Sequence, residues 1–187
     1  MAGRLILILS VLAAALISVA GWLNYHATRY DDMISLAAAR NNVDFYLVKA
    51  LIFEESWFTP DIRGSSGELG LMQITKAAAA DFSTRRGFSP FYEERLLEPE
   101  LNVEIGCWYL SQSLDRYRNS PAPEILALLR YNAGAARADG WLRSVMSKPV
   151  PVGMSAERYY LSLVDLPKTR EYVRRILRRS RSHNFWF

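Results

Sequence analysis

A chain of 187 residues has room for one ordinary domain and a modest extension; half of it hydrophobic, with 12% aromatic and 22% charged residues, it can bury a core, which excludes intrinsic disorder. The single Cys107, with only His26 and His183 beside it, excludes an internal disulfide and a zinc site of several nitrogen and sulfur ligands, and no metal or cofactor is expected. The 23 Lys+Arg against 19 Asp+Glu give a formal charge of +4, a weak lean toward anionic partners, and any acid-base chemistry falls to carboxylates.

From Leu5 to Leu23 the chain reads LILILSVLAAALISVAGWL, 19 residues without a charge. A helix of that length reaches about 28 Å, close to the roughly 30 Å of bilayer hydrocarbon, so residues 1–28 are expected to be a signal-anchor or a signal peptide. Length favours an uncleaved anchor, while the small-x-small triplet Ser18-Val19-Ala20 is where cleavage would fall. Trp22 and Tyr25 stand where an interfacial aromatic belt belongs. Either reading exports the rest of the chain, so nucleic acid is not an expected partner. The expected location is the cell envelope, anchored in the inner membrane and facing the periplasm, or exported to the periplasm.

Residues 29–183 are expected to form the main domain. Asp31 and Asp32 open an Ala-rich helix to about position 40, acids first as the helix dipole prefers. A second helix over 43–56 is capped by Asn42 or Asp44. Residues 59–70, TPDIRGSSGELG, read as a long glycine-rich loop. Thr75 caps a helix to about position 86, which Gly87 to Pro90 breaks. Positions 101–117 have helical periodicity, Pro121 and Pro123 interrupt it, and a helix follows over 125–131. Asn132-Ala133-Gly134 reads as the turn at its end. Further helices are predicted over 135–146, 156–164 and 169–181, with a proline-bearing loop at 147–153. No strand-length alternation and no internal repeat occurs, so the fold class is all-α. Positions 168–187 hold seven Lys/Arg and one Glu, so the basicity is local, and residues 184–187 form an aromatic C-terminal tip ending Phe185-Trp186-Phe187.

On the second helix, at about 100° per residue, Phe45, Val48, Leu51 and Ile52 form an apolar stripe with Glu55 in its middle and Glu54 at its edge. An inward carboxylate is desolvated, and the negative end of the helix dipole acts in the same direction. Both raise its pKa, the condition for a general acid at neutral pH. Position alone also allows a helix-terminal Glu bonded to its own loop.

Beyond Glu55 the residues fall into four ordered motifs: Glu55-Ser56-x-Phe58-x-Pro60 with Gly64-Ser65-x-Gly67-x-x-Gly70-Leu71-Met72-Gln73-Ile74; Pro99-x-x-Asn102-x-x-x-Gly106-x-x-Tyr109-Leu110; Tyr131-Asn132-Ala133-Gly134; and Thr169-Arg170-x-Tyr172-Val173. Together they resemble the lytic transglycosylase catalytic domain of the goose-type lysozyme superfamily, in its soluble lytic transglycosylase-like branch. Lys168, Glu68, Leu69 and Arg130 depart from the usual pattern, which bears on substrate preference and not on the acid.

The resemblance implies a lysozyme-like α-helical domain with a glycan-binding cleft, preceded by one N-terminal hydrophobic helix. It implies peptidoglycan glycan strands as the partner and cleavage of the β-1,4 bond between N-acetylmuramic acid and N-acetylglucosamine, leaving 1,6-anhydro ends. Glu55 would be the single catalytic acid and base. Ser56 would bond Glu55 or an acetamido group, Met72 and Gln73 would line the cleft, Tyr131 and Asn132 would orient the acetamide, and Tyr172 would bond the carboxylate or the sugar; Met72 reads equally as a core residue, and Asn132 also as the turn residue beside Gly134. The alternatives are a muramidase of the same fold that uses water, and a non-catalytic peptidoglycan-binding module of an envelope complex. The basic C-terminal stretch reads either as a contact for anionic lipid or wall polymer or as a solvated helix face.

Overall fold

Short-range signals set most of the helix ends in the computed structural model, which describes residues 2–87, 92–183 and 185. The helices are α1 (Ala2–Thr28), α2 (Asp31–Asn41), α3 (Phe45–Ser56), α4 (Lys76–Arg86), α5 (Pro99–Tyr117), α6 (Pro123–Ala133), α7 (Ala135–Ser147), α8 (Ala156–Ser162) and α9 (Pro167–Ser182), with a 3-10 turn over Glu93–Leu97. Asp44 caps α3 by accepting the Leu47 N–H, and Thr75 caps α4 by accepting that of Ala78. Asn42 closes α2 in the left-handed conformation instead, which separates the two capping candidates. Pro99, Pro123 and Pro167 stand in the first turns of α5, α6 and α9, where the missing N–H costs nothing. Among the described residues there is no strand, only isolated bridges joining Leu69 to Arg63 and to Ile74, so the chain is all-α.

One expectation changes. Asn132 belongs to the last turn of α6 and not to a following turn; the helix runs on to Ala133 and Gly134 ends it with a φ of 84°. The break after α4 begins at Gly87, the left-handed cap, and the rest of 87–90 lies outside the described residues.

The core is built on α5, whose Val103, Ile105, Cys107 and Leu110 are fully buried. It packs against α2, α4 and α6, while α3 lies along α9 and α6 also meets α7 and α9. At Gly106 the loop after α3 packs closely on α5: a Cβ there would collide with the Met72 sulfur. Lys49, buried on α3, is paired with Asp31 at 2.6 Å.

α1 is long and apolar enough to cross a membrane, with a mean hydropathy of 2.5 in its apolar window and none of that window buried. Its last turn is part of the domain. His26 and Ala27 are buried, the His26 ring lies 4.8 Å from Trp57 and 5.3 Å from Trp22, and Arg29 donates to the Phe58 carbonyl at 2.6 Å. At the other end, Phe185 turns inward. It is 5% exposed, with its ring 6.5 Å from Phe58 and 4.8 Å from the Lys49 ammonium, so it is a core residue and not part of a free tip. Trp186 and Phe187 lie outside the described residues.

Candidate active site

Glu54 and Glu55 share the last turn of α3, about 100° apart around the helix, and meet opposite surroundings. Glu54, its side chain 8% exposed, is held by Arg175 at 2.8 Å and Arg179 at 3.7 Å, both from α9. Among the described residues no cation forms an ion pair with Glu55. It receives the Tyr172 hydroxyl, also from α9, at 2.5 Å, and faces a cavity of about 490 Å³. Burial is the largest influence on Glu55 and lifts its pKa from 4.5 to about 7; the Tyr172 hydrogen bond pulls it down, and the charges of Glu68 and Glu54 push it up. Burial and the neighbouring Glu55 likewise raise the Tyr172 hydroxyl well above the ordinary tyrosine value, so it stays a donor.

After α3 the chain turns sharply. Trp57 and Phe58 are both left-handed, with φ of 48° and 58°, a conformation that costs a side-chain-bearing residue roughly 1–2 kcal/mol. The Phe58 side chain is fully buried and its carbonyl accepts from Arg29, which holds the turn. The loop then runs beside the cavity, supplying Gly64, Glu68 and Gln73 to its wall. Asn102 secures that loop: wholly buried on α5, it accepts the Met72 N–H and donates to the carbonyls of Leu69 and Leu96, each at 2.7 Å. Gly70, with a φ of 77°, lies so close to Asn102 and the Leu96 carbonyl that a Cβ would collide with both.

The opposite wall comes from α5 and α6, which supply Tyr109, Arg130, Tyr131 and Asn132. Tyr131 donates to the Met72 carbonyl at 2.8 Å, and Asn132 accepts from Thr169 of α9 at 2.8 Å. Gln73, left-handed at φ 48°, directs its amide N–H to the Gly70 carbonyl at 2.8 Å, which leaves its oxygen beside Gly64.

Of the residues singled out in the sequence, Glu55, Gln73, Tyr131 and Asn132 line the cavity, and Tyr172 bonds the acid from behind. Two are elsewhere. Ser56 is 4% exposed and donates to the Ile52 carbonyl at 3.1 Å, one turn back, not to Glu55. Met72 is fully buried against Gly106, not a cleft wall; its contribution is the backbone carbonyl that receives Tyr131. Ser56 thus departs from its expected bond to Glu55, and Met72 follows its alternative reading as a core residue: the motif marks residues that build the site as well as those that face it. Sequence reasoning assigned no role to Asn102 or Tyr109, although both stand in the second motif. Glu68 and Arg130, two departures from the motif pattern, both line the cavity. Among the described residues no group of three or more His, Cys, Asp or Glu is arranged to hold a metal ion.

Comparison with known proteins bears on the family and the fold. The family model of the transglycosylase SLT domain matches residues 32–150. A peptidoglycan transglycosylase of Escherichia phage T7 is 30% identical over 142 residues, covering 75% of this chain and 10% of that protein. A soluble lytic murein transglycosylase of Salmonella typhimurium is 29% identical, covering 79% of this chain and 22% of that protein. A membrane-bound lytic murein transglycosylase F of Desulfosudis oleivorans is 28% identical, covering 77% and 30%. The chain thus spans a third or less of the length of these relatives. Among solved structures, the 70-kDa soluble lytic transglycosylase in complex with bulgecin A superposes with a TM-score of 0.73 at 23% identity, over 83% of this chain and 24% of that one, which shows a shared fold. With the family model matched over most of the helical domain, from α2 through α7, the chain belongs to the transglycosylase SLT domain family.

Proposed function

We propose that the chain is a lytic transglycosylase that cleaves peptidoglycan between N-acetylmuramic acid and N-acetylglucosamine and leaves 1,6-anhydro-muramyl ends. The observation that carries this reading is Glu55, a cavity-facing carboxyl whose pKa is lifted to about 7. Near neutral pH such a group supplies both the acid and its conjugate base. Glu55 protonates the glycosidic oxygen as the C1–O bond breaks, and the muramyl acetamido oxygen shields C1. The resulting carboxylate then takes the proton of the muramyl 6-hydroxyl as O6 bonds to C1, which returns Glu55 to its acid form. Tyr172, donating to Glu55, stabilises the charged state between the two transfers. Gln73, Tyr131 and Asn132 bind and orient the sugar. Ser56 and Met72 support the site from the core.

The names of the relatives in three different sources favour this reading. One observation favours a second. Glu68 lines the same cavity as Glu55, and a second carboxylate is what a hydrolase needs to activate water. Against that role, Glu68 accepts the Ser66 N–H at 3.0 Å and so belongs to its own loop. The apolar length of α1 and a membrane-bound relative support anchoring in the cell envelope with the cavity outside the membrane.

The test is to incubate the full-length chain, in detergent, with purified peptidoglycan and analyse the released sugar ends by mass spectrometry, with Glu55→Gln beside it. Anhydro-muramyl ends that vanish with Glu55→Gln are expected. Reducing ends would replace this reading with hydrolysis, and no release, or release indifferent to Glu55→Gln, would sink both.

A further inference from the structure

Among the described residues lining the cavity, Arg130 is the single cation. It stands in the last turn of α6, directly before Tyr131 and Asn132, and lines the cavity with these two residues assigned to the sugar. Its guanidinium carbon lies 5.6 Å from the centre of the Tyr109 ring, and its Nε is buried without a hydrogen-bond partner.

Among the described residues no carboxylate forms an ion pair with this charge. Asp139, the carboxylate within its field, is already met by Arg116 at 2.7 and 3.1 Å and by the Tyr117 hydroxyl at 2.8 Å. Arg130 acts on that same tyrosine hydroxyl and forms no ion pair among the described residues. Glu68 turns to the Ser66 N–H. A guanidinium at a cleft wall, beside an aromatic ring and without a carboxylate partner among the described residues, is matched to a planar anion that accepts two parallel N–H bonds, a carboxylate.

The glycan backbone is neutral. Its carboxylates are carried on the lactyl ether of the muramyl residue, as the free lactyl acid or, where a peptide stem is attached, as the acids of that stem. We infer that Arg130 is a specificity-determining residue that receives a carboxylate on the lactyl arm of the bound muramyl unit. The inference rests on the peptidoglycan reading above, but concerns binding and not bond cleavage.

The experiment uses the full-length chain in detergent carrying Glu55→Gln, so that ligands survive, with and without Arg130→Gln. Dissociation constants are measured by calorimetry for three preparations of soluble glycan strands: with peptide stems, with the stems removed enzymatically to leave free lactyl carboxylates, and with stems whose carboxylates are converted to methyl amides. Arg130→Gln is expected to weaken binding of a carboxylate-bearing preparation by about tenfold or more, and to leave the methyl-amide strands within about twofold. Loss confined to stemmed strands assigns a peptide carboxylate, loss confined to stripped strands the lactyl carboxylate, and loss on both a subsite open to either. Arg130→Lys, which keeps the charge without the fork, is expected to fall between. Equal affinities throughout, or an equal loss on the neutral strands, overturns the inference, and the neutral strands also report whether the variant is folded. A chain that binds carboxylates through Arg130 yet releases no sugar ends in the turnover test would fail the proposed function while leaving this inference standing.

Discussion

Two neighbouring carboxylates on one helix acquire opposite chemistry from what lies across from them. The position of Glu55 within an apolar stripe was legible at once, because it depends only on the helical repeat. The neutralisation of Glu54 was not, since Arg175 is 121 residues away in sequence, and the choice between cleft and core for Met72 stayed open, because it is decided by a glycine on another helix. The charges around Glu55 lead to a pH experiment. Glu68 pushes its pKa up and the Tyr172 hydroxyl pulls it down; Glu68→Gln is therefore expected to move the alkaline limb of the rate profile to lower pH, and Tyr172→Phe to move it higher while slowing turnover. Shifts of both in one direction would contradict the assignment. The same pKa predicts a stability effect. A carboxyl that holds its proton more tightly folded than unfolded favours the native state fully below about pH 4.5, and this contribution is lost as pH rises through about 7. The ionised form then costs the fold about 3 kcal/mol. Glu55→Gln, neutral throughout, should be more stable than the natural chain by about that amount at alkaline pH and by little at about pH 4.5, as measured by denaturant titration.

At the scale of elements, helix positions were readable because Asp44, Thr75 and three prolines act locally. The failures lay where packing outweighs local preference. Asn132-x-Gly134 has the composition of a turn, yet α6 continues through Asn132, and Thr169 of α9 occupies its side-chain oxygen. The join between α1 and the domain was equally invisible, because it is made by side chains brought together from three segments: Trp22 and His26, Arg29, and Trp57 with Phe58. That join reaches the site. Arg29 bonds the carbonyl of Phe58, in the left-handed turn that follows Glu55 by two residues. Arg29→Ala leaves that carbonyl without its charged donor and is expected to cost about 1.5–3 kcal/mol of stability, with turnover falling more than the affinity for glycan. A loss of stability with turnover per folded molecule unchanged would limit Arg29 to a structural role.

For the whole molecule, the net positive charge has a different meaning from the one that composition suggests. The basic stretch forms α9, whose other face packs Tyr172, Val173, Ile176 and Leu177 into the core, so the helix that carries the charge also supplies the hydroxyl on Glu55. Four of its cations are engaged at home: Arg174 with Glu171, Arg175 and Arg179 with Glu54, and Arg181 with Glu157 and Glu124. Arg179 also lies over the Phe53 ring at 3.7 Å. Composition counts charges but not their partners, and the partners here come from α3, α6 and α8 as well as from α9. Replacing both Arg175 and Arg179 by Ala strands a mostly buried Glu54, for which the full cost of a broken buried pair is about 3–5 kcal/mol; the partial exposure of Arg175 reduces the expectation to about 2–3 kcal/mol. Adding Glu54→Gln to that double variant removes the stranded charge and should recover part of the loss. If α9 were only a solvated basic face, the double variant would melt with the natural chain and the third substitution would change nothing; the expected result is a large fall in melting temperature followed by partial recovery, because these arginines hold together the helix pair on which Glu55 and Tyr172 meet.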